Sequence, residues 1–170
     1  MIIRDVVEGD AEAIAAIYAH HVLHGTASYD MEPPSETDTL AKIRRISGAS
    51  WPFLVAEVDG NLAGYAYATQ LRDRAGYRYT AEDSIYIHPD LTARGIGKAL
   101  LGELLRQSAA RGFRTMIAVV GGADPASMAL HASLGFATVG RLKSVGFKFG
   151  RWLDTVYMQR DLTTFADRAG

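Results

Sequence analysis

Apolar and polar positions alternate along Met1-Ile-Ile-Arg-Asp-Val-Val7, and the β-branched content favours a strand. Gly9-Asp10 ends it. Ile14, Ile17, Tyr18 and Val22 then recur at helical spacing. They predict a helix from an Asp10 cap to about His24, with Glu12 in its first turn and Gly25 after its end. Pro33-Pro34 imposes an extended approach to a second helix, capped by Ser35 and striped by Leu40, Ile43 and Ile46. Phe53–Val58 reads as a strand, Asp59-Gly60-Asn61 as a hairpin turn, and Leu62–Leu71 as the return strand. Arg72–Thr80, polar and aromatic, reads as a loop. Asp83–His88 is a further strand stopped by Pro89. Gly95 opens a long helix whose face is Ile96, Leu100, Leu104 and Leu105, with Gly112 at its end. Thr115–Val120 is a buried strand. Asp124-Pro125 starts a short helix that stops at Gly135, with Leu130 and Leu134 turned inward. Phe136–Val145 and Leu153–Leu162 close the pattern as two strands around Gly146–Gly150.

The predicted order is β-α-α-β-β-β-α-β-α-β-β in a single domain over residues 1–162, with 163–170 as a C-terminal tail. Hairpins mixed with one β-α-β-α unit predict an α/β protein (α+β mixed) with a central mixed sheet and helices on both faces.

Composition narrows the chemistry. The 170 residues suit one domain, and 48% hydrophobic with 22% charged residues exclude disorder as the main state. No apolar run reaches the roughly 18–20 residues of a membrane span. Met1–Asp10 lacks an apolar leader core, so a cytoplasmic location is expected. Eighteen basic against nineteen acidic residues leave a net charge of −1, so neither nucleic acid nor membrane is an expected partner. There is no cysteine, which removes disulfides, thiolate metal sites and a covalent acyl-cysteine intermediate. His20, His21 and His24 share a helix, and His20 and His24 stand one turn apart, yet no Glu or Cys completes a metal site. No metal is expected, and the three read as solvent or interface histidines.

The most informative segment is Ile85-Tyr-Ile-His-Pro-Asp-Leu-Thr-Ala-Arg-Gly-Ile-Gly-Lys-Ala-Leu-Leu101. A strand runs into Arg94-Gly95-Ile96-Gly97, and that turn becomes a helix. Glycines there let backbone amides approach a ligand with no Cβ in the way. The helix N-terminus adds unpaired donors and positive dipole, and Arg94 and Lys98 add full charges, so the site suits a pyrophosphate. It is neither a Walker loop nor a dinucleotide fingerprint, which favours a phosphate ligand other than ATP or NAD.

Thr92-Ala-Arg-Gly-Ile-Gly97 resembles the acetyl-CoA pyrophosphate loop of the GNAT acetyltransferases, with Thr92 where that family usually has Gln or Arg. Asp124-Pro-Ala-Ser-Met-Ala-Leu-His-Ala-Ser-Leu-Gly-Phe136 resembles the family's Asn-x-x-Ala/Ser…Leu-Tyr-x-x-x-Gly-Phe segment, with Asp124 for Asn and His131 for Tyr. His131 there, together with Tyr79–Pro89, Val145–Asp154 and Thr26–Pro34, resembles the phosphinothricin and methionine-sulfoximine N-acetyltransferases. The likeness runs from about Ile3 to Leu162. It implies the GNAT fold, a mixed, mostly antiparallel, splayed sheet. It also implies acetyl-CoA as co-substrate, an acceptor that is a small amino acid or analogue, and a homodimer. Other acceptors within that fold are a polyamine, an antibiotic or a protein N-terminus. A non-catalytic acyl-CoA-binding module would also keep the loop.

Acetyl transfer to an amine needs a proton acceptor, a stabilised carbonyl oxygen and a leaving thiolate. Glu82, at the start of the strand leading to the glycine loop, is either the acceptor or a solvated acid; the resemblance makes it the catalytic Glu. His131 is either a proton-exchanging group or a satisfied helix-end histidine, and the resemblance makes it an acid or hydrogen-bond partner to the thiolate. The resemblance gives cofactor contacts to the backbone of Ile85, Tyr86 and Ile87, to Ala93, Arg94, Gly95, Ile96, Gly97 and Lys98, and to Asp124 and Ser127. It gives the carboxylate-binding arginine to the loop Arg72-Asp73-Arg74, where Arg72 matches best. Tyr29, Glu32, Tyr77 and Tyr79 are candidate pocket walls or plain packing. Trp51, Trp152, Phe147 and Phe149 read as packing groups, and Phe147–Trp152 as part of the implied dimer contact.

Overall fold

A computed structural model describes residues 1–166. The elements are β1 (Ile2–Asp5), α1 (Ala11–His24), α2 (Glu36–Gly48), β2 (Phe53–Val58), β3 (Asn61–Gln70) and β4 (Thr80–Ile87). They continue with α3 (Ile96–Ala110), β5 (Thr115–Gly121), α4 (Pro125–Ser133), β6 (Ala137–Lys148), β7 (Arg151–Asp161) and α5 (Thr163–Ala166). The predicted order holds as far as Leu162. The segment expected as a tail begins instead with the turn of α5. Asp161 accepts from the Thr163 amide (2.8 Å) and hydroxyl (2.7 Å) and so fixes its start. Residues 167–170 lie outside the described residues.

The strands form one sheet in the order β1-β2-β3-β4-β5-β7-β6, antiparallel at every step except the parallel β4–β5 pair. Strand alternation divides its two faces. Phe53, Val55 and Tyr65 pack with Ile14, Ile17, Ile43 and Ile46 of α1 and α2. Leu54, Ala56, Ala66 and Ala68 pack with Leu100, Leu101, Leu104 and Leu105 of α3. Burying such a Leu or Ile side chain stabilises by about 1.5–3 kcal/mol, so two apolar faces hold one sheet between two helix layers.

Local chemistry sets the ends. Ser35 and Asp38 exchange hydrogen bonds as a capping box at α2. Asp10 sits at the N-cap of α1, but its carboxylate turns to the Val7 amide (2.8 Å) and the Arg4 guanidinium, so it ties β1 to the helix instead of capping it. The last hairpin is tighter than the glycine pattern predicts. Its turn is Phe149-Gly150, both at positive φ (51° and 71°), while Gly146 lies inside β6 opposite Leu153. β4 begins at Thr80, three residues before the expected Asp83, and Glu82 stands within the strand, opposite Thr69 and Ile117.

Candidate active site

The parallel pairing of β4 with β5 lasts only four residues, Thr80–Asp83 against Thr115–Ala118, and then the strands part. β4 stays paired with β3 on its other side, and β5 with β7. Main-chain bonds at His88–Ala63 and Leu71–Thr80 fix which residues of β4 face β3, and these are the even-numbered ones. Ile85 and Ile87 therefore turn their peptide groups into the gap, while Tyr86 turns its own toward Tyr65. The same alternation on β5, set by Leu162–Arg114, turns Val119 and Gly121 into the gap. Of the three consecutive backbones expected to serve a ligand, two face it and Tyr86 does not.

A cleft of about 220 Å³ occupies this gap. Glu82, Asp83, Ser84, Ile85 and Tyr86 line it from β4, Ala118–Gly121 from β5, Ser127 and His131 from α4, and Ala27, Tyr29 and Thr155 close it. β4 sends its side chains to alternate faces. Tyr86 packs edge-on against Tyr18 of α1, so Glu82 and Ser84 share the α1 side. Asp83 meets His131 of α4 on the other side. Glu82 and His131 thus reach one cleft from opposite faces of the sheet.

Burial raises the Glu82 pKa above its usual 4.5. Nearby Asp83 adds to this, and the Arg72 guanidinium, whose Nη1 stands 3.8 Å from Oε2, opposes it. A carboxyl so placed is a better proton acceptor near neutrality than a solvated one.

His131 is 3% exposed, and both ring nitrogens are engaged, Nδ1 with the Ser127 carbonyl (2.7 Å) and Nε2 with Asp83 Oδ2 (3.0 Å). A carbonyl can only accept, so Nδ1 carries a proton. Facing a carboxylate, Nε2 carries one as well. Burial alone would lower the His131 pKa. The hydrogen bond and charge of Asp83, with the Ser127 carbonyl, outweigh it, and the pKa lies above 6.5. With both nitrogens engaged, His131 presents no free lone pair to the cleft in this arrangement. Asp83 was not among the residues singled out in the sequence, and its Oδ1 is buried without a partner.

The glycine loop follows the free edge of β4 directly. Gly95 is left-handed (φ 78°) and stands at the N-cap of α3, where no side chain caps the helix. Ala93 is also left-handed (φ 60°). The Gly95 carbonyl takes its helical bond from Ala99, so the amides of Ile96, Gly97 and Lys98 are the helix's orphan donors. Arg94 and Lys98 are exposed beside them. A Cβ on Gly97 would lie 3.3 Å from Leu130, so glycine there also lets α4 pack close to α3. These amides and charges, together with the free strand edges, fit a long ligand with a diphosphate at one end.

The other sequence-predicted residues divide. Tyr29 closes the cleft: its hydroxyl accepts from the Gly122 amide (3.0 Å) and reaches Thr155 Oγ1 (2.7 Å) and the Asp154 carbonyl (3.0 Å). Asp124 caps α4 through the Ser127 amide (2.7 Å), and Ser127 lines the cleft. Asp73, Arg74 and Tyr79 are exposed and do not line it, nor do Glu32 and Tyr77; Tyr79 lies under the Arg78 guanidinium instead. Of that loop only Arg72 approaches a cleft residue. His21 is no solvent histidine. Its Nε2 donates to the Ile87 carbonyl (2.8 Å) and its ring packs on Tyr86. Phe147, Phe149 and Trp152 are not packing groups within the chain: all three are exposed, Trp152 to 66%. Trp51 does pack, between the two cores.

Comparison with known proteins agrees with this geometry. A family model described as an acetyltransferase (GNAT) domain matches residues 3–157. A phosphinothricin N-acetyltransferase from Alcaligenes faecalis is 52% identical over 161 residues, which cover 94% of this chain and 82% of that protein. An L-methionine sulfoximine/L-methionine sulfone acetyltransferase from Salmonella typhimurium is 37% identical over 166 residues, covering 98% of this chain and 97% of its own. The crystal structure of a GNAT superfamily phosphinothricin acetyltransferase from Sinorhizobium meliloti, in complex with AcCoA, superposes with a TM-score of 0.93. It is 49% identical, over 94% of this chain and 87% of that one.

Proposed function

The chain belongs to the GNAT acetyltransferase family, and on that footing we propose that it acetylates the α-amine of a small amino acid or analogue, of the phosphinothricin or methionine sulfoximine kind. One domain over residues 1–162 carries the activity. The observation that supports this most is the parting of β4 from β5 directly beside Glu82, which sets free main-chain donors next to a carboxylate with a raised pKa.

Acetyl-CoA supplies the acetyl group as a thioester. The Ile96, Gly97 and Lys98 amides, with Arg94 and Lys98, hold its diphosphate, and the turned-in edges of β4 and β5 hold the arm that follows. The Ile85 amide faces the gap as a donor to the thioester oxygen; one such donor is worth about 3 kcal/mol in other oxyanion sites. Glu82 accepts the proton of the acceptor's ammonium group from the α1 side. The freed amine forms the N–C bond, the C–S bond breaks, and the second proton of the nitrogen passes to the departing thiolate, so CoA leaves as its thiol. With no cysteine in the chain, transfer is direct. His131, held as an imidazolium by Asp83, places positive charge beside the departing sulfur from the opposite side. Glu82 is the base, because His131 presents no free lone pair to the cleft. Arg72 holds the acceptor's carboxylate or phosphinate.

The exposed aromatic face of Phe147, Phe149 and Trp152 on the β6–β7 hairpin supports a homodimer that covers it. The same reading assigns the protein to the cytoplasm. No helix among the described residues is long and apolar enough to cross a membrane.

The test is thiol release from acetyl-CoA across a panel of amines: phosphinothricin, methionine sulfone, spermidine and a peptide. Turnover on the first two is expected. Release only with spermidine or peptide would replace the acceptor. Thermal stabilisation by CoA with no turnover on any amine would refute catalysis.

A further inference from the structure

Lys148, near the end of β6, is 2% exposed, which is unusual for a lysine. Alternation along the strand explains how it comes to be inside: Phe147 faces outward, and Gly146 and Lys148 on either side of it point in. Its ammonium makes one hydrogen bond within the protein, to the Ser28 main-chain carbonyl at 2.8 Å, and stands 5.2 Å from the Phe149 ring. Burial holds its pKa below the usual 10.5, with the Asp30 charge opposing. A covered lysine gives up solvation and side-chain freedom, which the bond it makes must offset.

What it holds is the loop between α1 and α2. Ser28 lies between Ala27 and Tyr29, the two loop residues that close the cleft. The Tyr18 hydroxyl bonds both the Ser28 hydroxyl (2.7 Å) and the Asp30 carboxylate. The backbone around this loop is cut away to receive it. A Cβ on Gly121 would lie 2.7 Å from the Thr26 carbonyl, and one on Gly146 would lie 2.6 Å from the Tyr29 ring. Tyr29 is tied at its hydroxyl to Gly122, Asp154 and Thr155, Ser28 and Asp30 are tied to Tyr18 of α1, and among the described residues Lys148 of the far hairpin is the one cation that bonds the loop's main chain.

We propose that Lys148 is a positioning residue for the acceptor: by clamping the Ser28 carbonyl it seats Ala27 and Tyr29 on the cleft and so sets affinity for the amine substrate. It does not touch the cleft and takes no part in the transfer. The role rests on the acetyltransferase reading, but the clamp itself is tested without turnover.

The variant is Lys148→Met, which keeps length and apolar volume and removes the donors. Two measurements are made on the full chain. Steady-state kinetics should show the KM of the acceptor raised about tenfold or more, as loss of a charge-assisted hydrogen bond implies, with the KM of acetyl-CoA within about twofold. Hydrogen exchange should show faster exchange confined to Thr26–Met31, with β4 and α3 unchanged. An unchanged acceptor KM, or exchange that rises evenly over the whole sheet with both KM values altered, overturns the proposal. If the wild-type protein acetylates no amine, the reading of function falls, and the exchange result still decides whether Lys148 holds the loop. If Lys148→Met does not fold, Lys148→Leu, which also removes the donors, is put through the same two measurements. Wild-type exchange in Thr26–Met31 would then overturn the clamp.

Discussion

Replacing Asp83 by Asn tests the buried pair in the cleft. The shape is kept, and the amide turns its amino group to donate to Nε2 of a then-neutral imidazole whose Nδ1–H stays on the Ser127 carbonyl. The unpartnered oxygen remains unpartnered. What is lost is the charge. A hydrogen bond to a charged group contributes about 1.5–3 kcal/mol and a neutral one about 1 kcal/mol, so the variant should be about 0.5–2 kcal/mol less stable. For a chain of this size each kcal/mol moves Tm by about 2–4 °C, which gives a fall of about 1–8 °C. The pH dependence carries a sign. The folded-state pKa of His131 lies above 6.5, so the stability its charge contributes is complete below that value and is lost as pH rises through the folded pKa. Thermal unfolding of both proteins, followed by circular dichroism from about pH 6 to about pH 9, should show the gap widest at the acid end. A gap of the same size at every pH, or none at the acid end, would refute the imidazolium–carboxylate assignment.

Glu82→Gln should lower kcat by about 10²–10⁴-fold, with a smaller change in the acceptor's KM. The wild-type profile of kcat/KM should rise with pH through a group titrating above 4.5, because a base must first lose its proton, and the variant should lack that limb. A limb that survives in the variant belongs to another residue. Trp152→Glu places a charge on the exposed hairpin face and should shift sedimentation from dimer to monomer; an unchanged sedimentation coefficient would remove that face from the interface.

Local signals in the sequence were reliable where the backbone itself makes the chemistry. Ser35 and Asp124 cap the helices that their residue types predict, and Gly95 opens α3 at positive φ. The start of β4 was hidden because its first residues, Thr80 and Glu82 among them, include polar side chains, Glu82 turned to the cleft, and polar residues there read as loop. The Asp83–His131 pair joins residues 48 apart in sequence, so no spacing rule could reveal it. The one available hint was strand alternation, which sets Asp83 on the face opposite its neighbour Glu82. Lys148 misleads for a related reason. The glycines on either side of it read as the connection between two strands, and only the extension of β6 to Lys148, with Phe147 turned outward, shows that it points in.

The contact of Gly121 with the Thr26 and Ala27 carbonyls bears on attempts to retailor this enzyme. There the wall of the substrate chamber is main chain laid on main chain, with no side chain to trim. A bulkier acceptor cannot be accommodated by whittling at that point, and any larger residue in place of Gly121 would push the wall outward and unseat it. Room on that side has to come from a neighbouring side chain such as Tyr29, and Tyr29 surrenders three hydrogen bonds when it goes. The chamber is therefore easier to shrink than to enlarge, and selection for new substrates should find compact ones first.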